Sequence, residues 1–191
     1  MYLCDLNFLY MSEYFHPWHS APVGKNPPEI VNGIIEIPRG SKAKYEIDKE
    51  TGLLMLDRVL YTSMEYPVNY GFIPQTLCGD GDPLDILVIS QVDILPRSIV
   101  PARVIGVMRM IDSGDTDDKI LAVPIKDMRF QHYKDISDIP EQYLEELRHF
   151  FQTYKQLENK ITQVQGFLDK KMAFQIIEEN LSAYKAAGFA R

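Results

Sequence analysis

Three aspartates fall within six positions of the chain, Asp80, Asp82 and Asp85, on a turn shaped by Gly81 and Pro83. An apolar run follows directly, so these carboxylates stand where a buried strand begins. Carboxylates this close repel one another and raise each other's pKa unless a cation lies among them. Charge at the end of a core strand is also costly without a partner. The pattern favours a fold that holds a hard divalent metal, Mg²⁺ or Mn²⁺, on oxygen ligands.

Two other interpretations of this acidic turn have to be weighed. A short acidic turn is often plain solvated surface, and the turn alone leaves that interpretation open. An EF-hand needs Gly at loop position six and Glu at position twelve. Counted from Asp80, those positions hold Asp85 and Gln91, so the turn is not an EF-hand.

Composition limits the class of protein. The chain has 191 residues, 46% of them hydrophobic, which suffices for one domain with its own core. A net charge of -7 argues against broad nucleic-acid binding, which needs a basic surface. No stretch is long enough to span a membrane. Cys4 and Cys78 form no CxxC motif, so we expect free thiols and a cytoplasmic location.

The chain divides into an arm and one domain. Prolines recur between positions 17 and 28, so residues 1–29 are predicted to be an irregular N-terminal arm. Its first ten residues are expected to be a flexible tail or an upstream-start artefact. Residues 30–191 are predicted to be a single α+β domain, a β-barrel packed by two helices. The strand patterns lie at 33–37, 43–47, 53–59, 86–90, 99–111, 120–125 and 161–167, and the helical patterns at 141–157 and 170–187.

A second acidic loop runs from Asp112 to Lys119 between two apolar strands. Alone it is typical of a solvated hairpin tip; beside the first turn, it would supply the further carboxylates that neighbouring metals need. Phosphoryl chemistry also needs cations that clamp the transferred and leaving groups. The basic candidates, each an ordinary surface charge when taken alone, are Lys44, Arg58, Lys119 and Lys155.

These residues, in this order, resemble the family I soluble, Mg²⁺-dependent inorganic pyrophosphatases of prokaryotic type. The most specific block is Asp80-Gly81-Asp82-Pro83-Leu84-Asp85-Ile86, and further blocks cover roughly residues 30–185. These are Ile35-Glu36-Ile37-Pro38, Lys44-Tyr45-Glu46-Ile47-Asp48, Leu56-Asp57-Arg58, Asn69-Tyr70-Gly71-Phe72-Ile73, Gly106–Asp112, Asp117–Pro124 and His149–Lys155.

The resemblance implies a small closed five-stranded OB-like β-barrel flanked by two α-helices. It implies hydrolysis of inorganic pyrophosphate to two orthophosphates with several Mg²⁺ ions per site, Mn²⁺ being an alternative. The proton acceptor would be Asp82, with Glu46 in proton traffic. The metal ligands would be Asp80, Asp85, Asp112, Asp117 and Glu36. The residues that bind pyrophosphate and phosphate would be Lys44, Arg58, Tyr70, Lys119, Tyr154 and Lys155.

Two positions need comment. Asp117 is preferred to Asp118 as a metal ligand because of its spacing to Lys119.

In hexameric bacterial members a second histidine often follows the one at His149 by one turn, where this chain has Thr153. A homo-oligomer is expected, with a hexamer favoured.

Three other functions are less well supported by the sequence. A non-catalytic Ca²⁺-binding barrel would explain the acidic loops but not the basic and tyrosine residues. A nucleic-acid-binding OB barrel is opposed by the net charge. A phosphohydrolase acting on nucleotides would want a glycine-rich phosphate loop, and Gly24-Lys25 lacks the preceding glycine and the following Ser or Thr of a P-loop.

Overall fold

The computed structural model describes residues 15–189, so the expectation for the first ten residues lies outside the described part. The strands are β1 (Ile30–Ile37), β2 (Ala43–Ile47), β3 (Leu54–Val59), β4 (Asn69–Phe72), β5 (Asp85–Val88), β6 (Ile99–Asp112), β7 (Asp115–Thr116), β8 (Lys119–Pro124) and β9 (Thr162–Asp169). The helices are α1 (Pro17–Ser20), α2 (Glu141–Thr153) and α3 (Lys170–Ala186), with short 3₁₀ turns at Met128–Phe130, Ile136–Asp138 and Gln156–Glu158.

Five of these strands close into a ring. The pairings run β1–β4, β4–β5, β5–β8, β8–β6 and β6–β1. The β5–β8 pair is parallel and the other four are antiparallel. β7 and β9 extend the long β6 outside the ring, while β2 and β3 form a separate hairpin. The prediction of a closed five-stranded barrel in an α+β fold is confirmed.

The ring strands are buried on both faces, which explains their continuous apolar runs. Side chains alternate along β5: Ile86 and Val88 pack in a cluster with Ile176 and Ile177 of α3. Leu87 points the other way, into a cluster that includes residues of α2. The helices therefore cover two different surfaces of the barrel.

Helical spacing accounts for how α2 and α3 dock. In α2, Leu147, Phe150 and Phe151 recur at three- and four-residue intervals and are buried, so they form one apolar stripe. α3 begins where the Asp169 side chain accepts a hydrogen bond from the Met172 amide at 3.0 Å, a helix N-cap. Within residues 15–189, no helix has both the length and the apolarity needed to cross a bilayer.

Close backbone packing dictates the glycine in β4. A Cβ placed on Gly71 would lie 1.9 Å from the carbonyl oxygen of Ile34 in β1, a distance that no side chain can adopt. The strand is four residues long and has no alternating pattern, so the sequence alone predicts no strand there. It is nevertheless one of the five members of the ring.

The segment predicted as an irregular arm contains the short helix α1. The His16 Nδ1 atom accepts a hydrogen bond from the Trp18 amide at the start of this helix. Trp18 is buried and packs near Tyr184 of α3 and Phe189. This part of the arm is therefore fixed against the domain.

Candidate active site

One cleft of about 730 Å³ gathers most of the residues that the sequence singled out. It is bounded by the acidic turn before β5, the loop between β6 and β8, the β2 strand and the end of α2. The predicted site residues that line it are Glu36, Lys44, Glu46, Tyr70, Asp80, Asp82, Asp85, Asp112, Asp117, Lys119, Tyr154 and Lys155. Arg58 is not part of this lining.

Strand register brings an acid and a lysine together at the centre of the cleft. Asp85 opens β5 and Lys119 opens β8, and the parallel pairing makes them direct neighbours. The Lys119 Nζ donates to Asp85 Oδ2 at 2.6 Å and to the two carboxylate oxygens of Asp117 at 2.8 and 2.9 Å. The Tyr70 hydroxyl donates to the same Asp85 oxygen at 2.5 Å. A buried ammonium thus lies between two carboxylates.

Burial controls the protonation of this central group. It raises the pKa of Asp85 to about 6, against the opposing effect of Lys119. Burial alone would lower the pKa of Lys119, but the charges of Asp85 and Asp117 outweigh it and raise that pKa well above its ordinary value. Burial also raises the pKa of Tyr70, so its phenol keeps its proton. The group therefore offers fixed donors around a carboxylate that can take up a proton.

In the loop between β6 and β8, the adjacent residues Asp117 and Asp118 pair with different cations. Asp118 accepts two hydrogen bonds from the guanidinium of Arg109, at 3.1 and 3.0 Å. Asp117 instead meets Lys119. Each aspartate is therefore paired with a different cation, and the choice of Asp117 as a metal ligand stays a prediction.

Lys155, just after α2, forms an ion pair with Asp112 at the other end of the same loop. Burial works to raise the pKa of Asp112, but the hydrogen bond and charge of Lys155 prevail and lower it. Lys155 itself is buried. The pair joins the end of α2 to the end of β6 across the cleft.

The acidic turn exposes two of its carboxylates. The Asp80 side chain accepts a hydrogen bond from the Asp82 amide at 3.0 Å, and Gly81 between them has a φ of 85°, a conformation that favours glycine. Asp82 is half exposed and forms an ion pair with Lys49 from the turn between β2 and β3. The turn therefore presents the Asp82 carboxylate to solvent where it lines the cleft.

The β2–β3 hairpin supplies a basic and an acidic group to one wall. Lys44 forms ion pairs with Glu46 and, at 3.3 Å, with Asp57 of β3. Glu36, on the neighbouring β1, accepts a hydrogen bond from the Ile47 amide at 2.7 Å. Burial raises the pKa of Glu36 to about 8. A carboxyl group in this state is one whose ionisation a nearby cation would promote.

Arg58 belongs to β3 of this hairpin, where it lies opposite Lys44. It donates to Glu158 at 2.9 Å through Nε and to Asp57 at 2.5 Å through Nη1. Its Nη2 atom is buried and has no hydrogen-bond partner within residues 15–189. Since buried donors are nearly always paired, this nitrogen is suited to an acceptor from outside the chain.

The donor chemistry of the cleft fits hard divalent cations. Carboxylates converge from β1, β2, the acidic turn and the β6–β8 loop, and oxygen ligands are those that Mg²⁺ and Mn²⁺ prefer. In the described part of the chain, no three Asp, Glu, His or Cys side chains are already gathered around one metal position. Lysine ammonium groups lie between several of these carboxylates, so the acids are paired with internal cations.

Sequence reasoning missed several residues that shape the site. They act through contacts between separate segments, although Asp57 and Arg109 lie inside the motif blocks, so their charge was a signal. These residues are Trp18, Lys49, Asp57, Arg109, Glu158 and Asn180.

Comparison with known proteins places these features in context. A family model for inorganic pyrophosphatase matches residues 33–185. A soluble inorganic pyrophosphatase from Oryza sativa subsp. indica is 50% identical over 171 residues, covering 90% of this chain and 80% of the relative. Soluble inorganic pyrophosphatase 1 from Arabidopsis thaliana is 49% identical over 169 residues, covering 88% and 80%.

Solved structures give the same picture. The crystal structure of inorganic pyrophosphatase from Thermus thermophilus superposes with a TM-score of 0.85 at 44% identity, covering 88% of this chain and 99% of that one. An inorganic pyrophosphatase from Helicobacter pylori superposes with a TM-score of 0.82 at 43% identity, covering 86% and 98%.

Proposed function

Because the chain belongs to the inorganic pyrophosphatase family and is therefore an inorganic diphosphatase, we propose that it hydrolyses pyrophosphate in the acidic cleft with Mg²⁺ as cofactor. The observation that carries the assignment of the site is the central group of Asp85, Asp117 and Lys119. In it the buried ammonium of Lys119 lies within hydrogen-bond distance of both carboxylates, which supports a role for the acids as metal ligands beside a phosphate-binding cation.

The metal ligands in this proposal come from three parts of the fold. They are Asp80, Asp85, Asp112, Asp117 and Glu36. When bound, the divalent ions neutralise charge on the phosphates and lower the pKa of a bound water. Asp82 accepts the proton of the attacking water, and its partial exposure on the turn leaves room for that water. Glu46, paired with Lys44 at the cleft wall, takes part in the same proton traffic.

The substrate ligands are lysine and tyrosine side chains, of which Lys44, Tyr70, Lys119 and Lys155 now contact carboxylates. As the carboxylates turn to the cations, Lys44, Lys119 and Lys155 are free to bind phosphate oxygens. Their charge then stabilises the departing phosphate. Burial raises the pKa of Tyr70 and Tyr154 above its ordinary value, so their phenols remain hydrogen-bond donors.

Arg58 completes the set of phosphate-binding groups. Its buried Nη2, which has no hydrogen-bond partner among the described residues, supports this role, because a guanidinium offers planar donors suited to phosphate. Asp57 contacts both Arg58 and Lys44. A small movement of the β2–β3 hairpin would therefore carry the two cations together.

We also propose the features of the whole protein that the family resemblance implies. Residues 30–191 form the catalytic domain and residues 1–29 its arm. The protein is cytoplasmic and assembles into a homo-oligomer, with a hexamer favoured. Large apolar side chains are exposed on and beside β3, at Leu53, Leu56 and Val59, and are available for contacts between copies.

Phosphate release is the direct test of the cofactor and the substrate. Purified protein is given pyrophosphate with excess Mg²⁺, with an EDTA control, and with ATP as the comparison substrate. We expect release from pyrophosphate that EDTA abolishes and little release from ATP. Release that persists in EDTA would refute the role of the metal, and equal release from ATP would refute the choice of pyrophosphate.

A further inference from the structure

The segment that carries the acidic turn has little regular structure of its own. Residues 73–84 connect β4 to β5 and include Asp80 and Asp82. Gln75 in this segment has a φ of 58°, the left-handed region that non-glycine residues seldom adopt. Such a backbone conformation persists only when surrounding contacts hold it. Those contacts come largely from the arm.

Trp18 of α1 makes two hydrogen bonds to this segment. Its indole Nε1 donates to the carbonyl oxygen of Thr76 at 2.8 Å, and its own carbonyl accepts from the Gln75 amide at 2.9 Å. A third bond runs from the Gln75 side chain to the carbonyl of Ala21 at 3.0 Å. Trp18 and Thr76 are both buried, so these bonds are shielded from water.

Thr76 passes this restraint to the start of β5. Its hydroxyl donates to the carbonyl of Ile73 at 2.6 Å and accepts from the Leu84 amide at 2.8 Å. Leu84 directly precedes Asp85, so the hydroxyl closes the base of the loop that projects the acidic turn into the cleft. Inside the loop, the Cys78 amide donates to the Asp82 carbonyl at 2.7 Å.

The opposite side of the segment is held by α3. The Leu77 amide donates to the backbone carbonyl of Asn180 at 3.1 Å. Trp18 and Asn180 both line the cleft. The loop is therefore clamped between the arm and the last helix, and the Trp18 indole is the side-chain contact that the arm contributes to Thr76.

We propose that Trp18 is a positioning residue for metal binding, which fixes residues 73–84 through Thr76 so that the acidic turn faces the cleft in its ligand geometry. The inference rests on the proposed function, because it takes Asp80 and Asp85 as metal ligands. Groups that orient metal ligands from outside typically change metal affinity by about 10- to 100-fold when they are replaced. Trp18 acts one step further away, so we expect an effect of about fivefold.

The test measures metal binding without turnover. Mn²⁺ binding to the full chain, in the absence of pyrophosphate, is followed by the electron paramagnetic resonance signal of free Mn²⁺. Trp18→Phe removes the indole donor but keeps an aromatic ring, and Thr76→Val removes the hydroxyl at nearly constant shape. We expect each variant to bind Mn²⁺ about fivefold more weakly than the unaltered protein, with kcat at saturating Mg²⁺ within about twofold of it.

The control variant is Tyr184→Phe. Its hydroxyl bonds to His19 at 2.8 Å in the same arm–α3 cluster, so its loss perturbs the packing of the arm without removing a bond to residues 73–84. Equal weakening of Mn²⁺ binding by Tyr184→Phe would overturn the inference, as would unchanged binding in Trp18→Phe. If Trp18→Phe does not fold, Thr76→Val tests the second link, and normal Mn²⁺ binding in it overturns the inference, because the restraint is proposed to pass through Thr76.

The same experiment separates this inference from the proposed function. If the unaltered protein binds no Mn²⁺ and releases phosphate in EDTA, the metal site itself is wrong and the positioning role falls with it. If the unaltered protein binds Mn²⁺ and all three variants bind it as tightly as the unaltered protein does, the metal site stands and only the role of Trp18 is lost.

Discussion

Replacing Lys119 by Met should make the stability of the protein depend strongly on Mg²⁺. The Lys119 side chain is 2% exposed and contacts three carboxylate oxygens within 2.9 Å. Removing one partner of a buried ion pair costs about 3–5 kcal/mol, because the remaining charge is left uncompensated. The carboxylates of Asp85 and Asp117 are 22% and 23% exposed, so we take the lower end, about 3 kcal/mol.

This loss has a measurable size. For a chain of this length it corresponds to a fall in Tm of roughly 6–12 °C when no metal is present. Mg²⁺ should reverse part of it, because the two carboxylates no longer have an internal cation and a bound ion stabilises the folded state by mass action. Loss of the ammonium charge also removes its repulsion of the ion. We expect the variant to gain at least about 1 kcal/mol more from Mg²⁺ than the unaltered protein does.

The assay is thermal unfolding in EDTA and in excess Mg²⁺, with Lys49→Met as the matched control. Lys49 pairs with Asp82 but is 54% exposed, and exposed pairs contribute about 0–1 kcal/mol. Its Tm should therefore change little. The reasoning would be refuted if Lys119→Met kept the Tm of the unaltered protein in EDTA, or if the difference between the two proteins were the same with and without Mg²⁺.

Two further predictions concern single carboxylates. Asp82→Asn should retain Mn²⁺ binding yet lose about 100-fold or more in kcat. The control Asp93→Asn, at an exposed carboxylate outside the cleft lining, should keep its kcat. Activity of Asp82→Asn within about twofold of normal would exclude the proton-acceptor role. Asp138 accepts hydrogen bonds from the Lys134 and Asp135 amides, which lower its pKa below 3.8. Asp138→Ala should therefore lower the Tm above pH 3.8, by an amount that shrinks as the pH falls through the depressed pKa; a Tm difference independent of pH would contradict this.

The sequence predicted helices and strands well where a periodic pattern of apolar residues extended over many positions. The helix at 170–187 corresponds to α3 (Lys170–Ala186), and the strand at 99–111 corresponds to β6 (Ile99–Asp112). β4 was missed because four residues with a central Gly71 show no alternation, although this strand is needed to close the ring. α1 was missed because one turn beside a proline has no periodicity to detect.

The candidate site shows the same division. Short motifs identified the side chains that converge on the cleft, because a block such as Asp80–Ile86 keeps its residues close together in any fold. The partners of those side chains are distant in sequence, so patterns along the chain could not predict them. Lys49 pairs with Asp82 only because the β2–β3 turn lies beside the acidic turn, and Arg58, outside the cleft lining, pairs with Glu158 far along the chain.

The register between β5 and β8 links the stability of the barrel to the position of two cleft side chains. Asp85 faces Lys119 in the same ladder that pairs Ile86 with Ile120 and Leu87 with Leu121. A slip of one residue would reverse the faces of a whole strand, which would separate Asp85 from Lys119 and remove apolar side chains from both core clusters. Such a barrel would be unstable. A folded protein with Asp85 and Lys119 out of register is therefore not expected, because the same register determines the packing of the core and the position of these two side chains.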